Sequence, residues 1–255
     1  MTGQGSPRTA WITGAGKGLG RALALRLARD GWVVAASART AADLRTLAAE
    51  APEGRVRAFP LDITDPEATA ATVAAIEAEI GPIDLALLNA GTHIPVSLSD
   101  FSAASFRKLL ETNVMGTVHG LDALLPGFTA RGAGRIAVVA SLVGYRGLPT
   151  SAAYGASKAA LINMCEALRP ELAAAGIILM LINPGFVATP LTDRNEFPMP
   201  FLISAEAAAE AIVRGLARDS FEIAFPWRFA LIMKILRMLP DRLYFTLTRR
   251  MIDGS

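Results

Sequence analysis

The sequence predicts an α/β fold: a doubly wound parallel sheet of about seven strands flanked by helices, with a C-terminal helical extension. Three observations predict it. Short apolar runs alternate with longer helical patterns from the first residues to about residue 225. Several runs (32–36, 85–88, 136–139, 177–182) are apolar without alternation, as strands buried on both faces are. Apolar content of 52% against 19% charge supplies a large core and argues against disorder. Helix-separated strands favour parallel pairing through right-handed crossovers, with ligands expected beyond the carboxyl ends of the strands.

The first strand is expected at 10–13, followed by a helix over 19–30 that sets Leu19, Leu23 and Leu27 on one face. Gly31 stops this helix, and 32–37 is the second strand. A helix over 40–49 leads to a third strand at 55–61. The helix over 66–80 has Asp65 available as its N-cap. A fourth strand, 83–88, precedes one long helix covering about 103–130. A fifth strand (135–140), a helix (152–174) and a sixth strand (177–182) follow. A helix at 205–217 and a seventh strand at 222–225 complete the alternation. No repeat, low-complexity linker or compositional break interrupts it. Residues 1–225 are therefore expected to be one domain, with 226–255 a helical extension of it.

The single cysteine, Cys165, rules out an intramolecular disulfide framework and fits a reducing compartment. It lies in an apolar helical run with Leu161, Ile162, Met164 and Leu168, so it is expected in the core. Neither a leader nor an anchor is expected, since residues 1–11 hold no apolar run, and no apolar stretch reaches the ~18 residues of a spanning helix. The expected location is the cytoplasm, with a peripheral place at the membrane as the alternative. Net charge is +2, but 226–255 carry six basic and two acidic side chains, so the positive balance belongs to that segment.

Between the first strand and first helix stands Thr13-Gly14-Ala15-Gly16-Lys17-Gly18-Leu19-Gly20. Glycines let the backbone turn tightly and approach a pyrophosphate, whose charge suits a helix N-terminus. A plain glycine-rich turn would read similarly, but its position points to dinucleotide binding. A site for the ribose diol would carry Asp or Glu after the second strand. Here that place reads Ser37-Ala38-Arg39-Thr40, with no acid before Asp43. Arg39 suits a 2′-phosphate, with Lys17 as a second positive charge, so NADP(H) is preferred over NAD(H). The alternative is that both are solvated surface charges.

Ser141 ends an apolar strand, and Tyr154-Gly155-Ala156-Ser157-Lys158 opens a helix. Four residues apart, Tyr154 and Lys158 share a helix face, and a nearby cation favours the phenolate. Tyrosine titrates near ~10 and exchanges protons at neutral pH only when that value is lowered. Such a pair alone is common on helix surfaces.

Taken in order, the residues resemble the short-chain dehydrogenase/reductase family, in its one-domain branch of about 250 residues. The resemblance covers roughly 9–225. It rests on Thr13-Gly14-x-x-x-Gly18-x-Gly20, Asp62 after the third strand, Asn89-Ala90-Gly91 after the fourth, Asn113, Ser141, Tyr154-x-x-x-Lys158, and Asn183-Pro184-Gly185 with Thr189 beyond. It implies a Rossmann-type sheet and a catalytic set of Asn113, Ser141, Tyr154 and Lys158. It also implies a cofactor site of Gly14, Gly16, Lys17, Gly18, Leu19, Gly20, Arg39, Asp62, Ile63, Asn89, Ala90, Gly91, Tyr154, Lys158, Pro184, Gly185, Val187 and Thr189. Asp62 would bond the adenine, helped by the amide of Ile63. Thr189 would lie near the carboxamide or pyrophosphate. Tyr154 would protonate a carbonyl oxygen that Ser141 orients, Lys158 would hold the ribose and favour the phenolate, and Asn113 would position a water. Singly, each has a plainer reading: Asn113 and Asp62 as local backbone partners, Ser141 as a strand terminator, and Asn89-Ala90-Gly91 as a simple turn.

No metal site or nucleic-acid surface is expected. His93 and His119 are the only histidines and read as loop or helix-surface residues, His93 close enough to Gly91 to border the cofactor. Residues 186–203 should form a loop over the substrate. Its Phe186, Val187, Leu191, Phe197, Met199, Phe201, Leu202 and Ile203 suggest a hydrophobic small molecule, or else pack on their own fold. Asp193, Arg194 and Glu196 form its polar tip. Residues 226–255 read as two helices joined at Pro240-Asp241, apolar with interspersed arginines. They suit a lid, a subunit contact or peripheral membrane contact, the charges being spread widely round the first helical projection. The resemblance suggests a homodimer or homotetramer through the helices at 103–130 and 152–174. The expected activity is an NADP(H)-dependent carbonyl reductase or alcohol dehydrogenase. A catalytically silent NADP(H)-binding regulatory or scaffold protein is the alternative, and an isomerase or dehydratase is a third.

Overall fold

The computed structural model describes residues 8–192 and 199–253. In chain order, β1 (Thr9–Thr13), α1 (Gly18–Arg29), β2 (Val33–Ala38), α2 (Ala41–Glu50) and β3 (Val56–Pro60) make the first half of the winding. Next come α3 (Pro66–Glu79), β4 (Ile83–Leu88), α4 (Ala103–Leu110), a π-helical turn (Glu111–Met115), α5 (Gly116–Arg131) and β5 (Gly134–Val139). Then follow α6 (Ala152–Ala174), β6 (Ile177–Pro184), β7 (Val187–Ala188), β8 (Ile203–Ser204), α7 (Ala205–Leu216) and β9 (Glu222–Phe225). The extension is α8 (Trp227–Met238) and α9 (Asp241–Asp253).

Seven strands pair in parallel in the order β3-β2-β1-β4-β5-β6-β9. Both faces are covered, which is why the strands need no polar alternation. Ala10 and Ile12 of β1 join Leu23, Leu27, Leu44 and Ile212 from α1, α2 and α7. Trp11 between them joins Ile76, Leu124, Phe128 and Leu161 from α3, α5 and α6. The Trp11 indole N–H is satisfied in the core by the Ser37 hydroxyl at 3.0 Å. Cys165 is fully buried in the second layer, and burial pushes its thiol up to about 12.

Asp65 caps α3 as expected, its carboxylate accepting from the Ala68 amide at 2.9 Å. Elsewhere the structure departs from the sequence expectation. The long helix is interrupted by the π turn Glu111–Met115, which holds Asn113. Strand β6 runs on through Asn183 and Pro184, where Pro184 pairs with Phe225. The expected loop at 186–203 is tied at its base by the short parallel pair β7–β8. Of that loop, Asp193, Arg194, Glu196 and Phe197 lie outside the described residues.

The extension packs by a narrow stripe. Ala230 and Met233 of α8 are buried, with Phe229 and Leu236 beside them. Arg146 donates to the carbonyls of Leu236 (3.0 Å) and Leu239 (2.6 Å), pairs with Asp241 at 2.6 Å, and lies 3.8 Å over the Tyr244 ring. The Tyr244 hydroxyl donates to the Gly147 carbonyl at 2.5 Å. Lys234 reaches Glu222 at 2.6 Å, and Glu222 also accepts from Asn183 (2.7 Å) and from the Tyr145 hydroxyl. The extension thus grips the segment between Ser141 and Tyr154.

Candidate active site

The carboxyl edge of the sheet collects the turns after β1, β4, β5 and β6, beside the point where the strand order reverses between β1 and β4. Thr13 ties the first two turns together. Its hydroxyl accepts from the amides of Asn89 and Ala90, both at 3.0 Å, and the Asn89 side chain donates to the Thr13 carbonyl at 2.9 Å. Gly20 must lack a side chain: a Cβ there would stand 2.3 Å from the Gly14 carbonyl oxygen. Gly18 has φ +54° and would press a Cβ to 3.0 Å from Thr189.

A cavity of about 640 Å³ runs along this edge, and every residue expected to bind the cofactor lines it. Ser141, Tyr154 and Lys158 line it too; Asn113 stands behind its wall. No side chain caps α1, so its first amides remain available at the cavity. That amide-rich turn and the length of the cavity fit a dinucleotide, with the diphosphate at the α1 N-terminus.

At the far end of the cavity, Tyr154 keeps part of its surface open, yet it sits deep enough that burial pushes its phenol up to about 12. A hydrogen bond with Ser141 pulls it the other way. The Ser141 hydroxyl also lies 3.3 Å from the Pro184 carbonyl and accepts from the Val143 amide at 3.3 Å. Lys158 is buried, which pushes its ammonium down to about 8. Its Nζ donates to the Val139 carbonyl at 2.8 Å and stands 5.7 Å from the centre of the Tyr154 ring. Burial therefore outweighs the expected pull of the ammonium on the phenol in this geometry.

Asn113 is fully buried. Its Oδ1 accepts from the Thr92 amide at 2.7 Å, and its Nδ2 donates to the Thr92 carbonyl (3.0 Å) and the Ser157 hydroxyl (2.9 Å). It thus joins the turn after β4 to the helix carrying Tyr154. One Asp62 oxygen accepts from the amide and hydroxyl of Thr64, at 3.1 and 2.9 Å. This is the turn-forming role, performed at the cavity wall.

Arg39 and Lys17 are exposed at the cavity rim. Sequence reasoning passed over Asp43, which lies beside Gly16 and pairs with Lys17 at 3.5 Å. The signal was the short link from β2 to α2, which swings the first turn of α2 back over the glycine turn. Thr192 was missed as well. It accepts from the Thr189 amide at 2.9 Å and donates to the Val187 carbonyl at 2.8 Å, fixing Thr189. His93 is buried, not at the surface, and its ring meets Tyr154 edge-on at 4.6 Å. His119 lies on α5 with Nδ1 3.0 Å from the Ile63 carbonyl. No cluster of metal-ligating side chains occurs among the described residues.

Comparison with known proteins bears on this arrangement. The family model described as short chain dehydrogenase matches residues 8–198. An uncharacterized oxidoreductase of Myxococcus xanthus is 40% identical over 248 residues, covering 96% of this chain and 98% of its own. The ketoacyl reductase HetN of Nostoc is 31% identical over 222 residues, covering 85% of this chain and 77% of its own. A short-chain dehydrogenase from Streptomyces avermitilis has a similar crystal structure, with TM-score 0.84, 27% identity and coverage of 99% of both chains. The extension therefore has a counterpart there. A short-chain dehydrogenase/reductase from Burkholderia phymatum, solved in complex with NAD, matches with TM-score 0.81 and 25% identity over 90% of this chain and 92% of its own. With the ordered motifs, the parallel sheet and the cavity at its carboxyl edge, these matches establish that this chain belongs to the short-chain dehydrogenase/reductase family and is an oxidoreductase of that family.

Proposed function

We propose that the protein interconverts a carbonyl and an alcohol on a hydrophobic small molecule, with NADP(H) preferred over NAD(H). The observation that carries the reading is the convergence of Ser141, Tyr154 and Lys158 on the cavity that the glycine turn also lines. Gly14 to Gly20, Asp62, Ile63, Asn89 to Gly91 and the Pro184–Thr189 segment would hold the dinucleotide, which supplies or accepts the hydride when bound. Tyr154 gives its proton to the carbonyl oxygen in reduction and takes it back in oxidation. Ser141 donates to the same oxygen and steadies the charge that develops there. Lys158, poised near neutrality by burial, holds a ribose hydroxyl and relays protons to the phenol. Asn113 acts by positioning: it fixes the turn at Thr92 and the Ser157 hydroxyl, leaving a water-holding role to its main chain.

Two features bear on the cofactor. Arg39 forms no ion pair among the described residues, and Lys17 is matched by Asp43, so the local balance remains positive. This favours a 2′-phosphate. The Asp43 carboxylate supports the second reading, NAD(H), because it is an acid within reach of the ribose corner. On the substrate side, Phe186 and Phe201 stack on Phe229 of α8, at 5.5 and 6.0 Å between centroids. Part of the apolar loop thus packs on its own fold, while Phe201 and Leu202 stay exposed, and an apolar substrate would cover them. The ketoacyl activity named for the Nostoc relative makes 3-oxoacyl compounds the first class to try.

We assign cofactor binding and catalysis to residues 1–225, place the protein in the cytoplasm, and expect a homodimer or homotetramer through α4–α5 and α6. The test is oxidation of NADPH, and of NADH in parallel, against aldehydes, ketones and 3-oxoacyl compounds of graded chain length. Turnover that improves with chain length is expected. Tight cofactor binding without turnover on any of them would leave the silent alternative.

A further inference from the structure

The geometry points to the outward face of α8 as a docking surface for an anionic lipid bilayer. The face is apolar where a helix on a soluble domain is usually polar. Trp227, Leu231, Ile235 and Met238 recur at spacings of four, four and three and so share one side. Their exposures are 68, 51, 47 and 75%. The buried stripe of Ala230 and Met233 lies on the opposite side of the same helix. The charges that looked scattered in the sequence fall into place once the buried stripe is known. Lys234, three residues on from Leu231, shares this side and is half exposed with its ammonium drawn to Glu222, while Arg228 stands beside Trp227 at the margin.

Charge selects the occupant. Among the described residues of α8 and α9, Asp241 is paired with Arg146 and Lys234 with Glu222. Arg228, Arg242 and Arg249 have no carboxylate partner there; Arg237, four residues beyond Met233, lies on the packed side near Tyr145. A second copy of the chain laid on this face would bring like charges together, whereas a bilayer containing anionic lipid attracts them. Exposed Leu243, Phe245 and Leu247 on α9 add apolar surface of the same kind. The element lies on a membrane and does not cross it. Twelve residues span ~18 Å, short of the ~30 Å hydrocarbon core, and no helix among the described residues is long and apolar enough to cross. Trp227 at the rim is the residue type that settles at headgroup level. The inner side of α8 carries Phe229, stacked on Phe186 and Phe201, so the docked face backs directly on the loop beside the cavity.

The test uses the full chain and vesicle flotation, with phosphatidylcholine alone and with phosphatidylglycerol added. Binding is expected only to the anionic vesicles, weakening as salt rises. Leu231→Asp with Ile235→Asp should abolish it, and Arg228→Gln, Arg242→Gln and Arg249→Gln should each weaken it about fivefold. Melting temperature and NADP(H) affinity of each variant show that the fold is kept, and neither depends on lipid. Failure to float with anionic vesicles overturns the proposal. So does a fall in solution mass for Leu231→Asp with Ile235→Asp, since the face would then be a subunit contact. Both outcomes are independent of whether any carbonyl compound is turned over.

Discussion

Lys158 sits 5.7 Å from the centre of the Tyr154 ring and gives a hydrogen bond to the Val139 carbonyl at 2.8 Å. Phenol and ammonium are thus neighbours that burial drives toward their neutral forms, Tyr154 upward and Lys158 downward. Tyr154→Phe keeps the ring against His93 and removes only the hydroxyl. Turnover should fall at least ~100-fold while NADP(H) affinity is retained. Near-normal turnover, measured beside cofactor binding by fluorescence titration, would remove Tyr154 from the mechanism.

The buried ammonium also makes a prediction about stability. The folded-state value of Lys158, about 8, lies below its ordinary 10.5. Between those values the unfolded chain binds more protons than the folded one, so stability rises with pH across that window. Below about pH 8 the cost of the buried charge is fully present. Lys158→Met should therefore be the more stable protein at pH 7, by on the order of 1–3 kcal/mol, reduced by the bond lost to Val139. The advantage should shrink toward pH 10.5. Denaturant melts of both proteins across that range check it, and a constant difference would contradict it.

At the other end of the cavity, Lys17 and Asp43 stand 3.5 Å apart. Arg39→Asp should move preference toward NADH by about tenfold or more, since an interaction of a single charge with phosphate is worth ~1.5–3 kcal/mol. Asp43→Asn should move it further toward NADPH by freeing Lys17. Paired kcat/KM values for the two cofactors read both changes. Indifference of the ratio to both substitutions would show that neither residue faces the ribose.

Arg146 is the clamp of the extension. Arg146→Ala removes the donors at Leu236 and Leu239, the pair with Asp241 and the stacking on Tyr244 at once. A cost of ~1–3 kcal/mol is expected, by analogy with other hydrogen-bonded charges. The loss should appear first as proteolysis within 226–253, followed by a fall in kcat, because Arg146 lies between Ser141 and Tyr154 in the chain. Limited proteolysis and kinetics on the same preparation test the coupling.

Most of the fold was legible because the strands are buried on both faces and the helices are punctuated. The stretches at 83–88, 152–174 and 222–225 have the same limits in sequence and structure. The cavity wall was legible for a related reason: glycine turns and strand ends are local features. What was not legible depends on distance. The π turn at Asn113 follows from contacts with Thr92 and Ser157, 21 and 44 residues away, while its local sequence reads as plain helix. Asp43 enters the site because α2 folds back, and the burial of His93 depends on Tyr154. The outward apolar face of α8 could not be told from the inward one until Arg146 and Glu222 fixed which side packs.

The π turn at Glu111–Met115 has one consequence for how this chain can vary. A π turn closes on i→i+5 bonds and so takes in one residue more than an α turn; excising one of these five would restore plain α-helix and leave α5 in phase with α4. The Leu121, Leu124 and Phe128 face would stay on the sheet, while the Asn113 amide would swing away from Thr92. The length of this helix is therefore not free. The candidate site depends on a residue count.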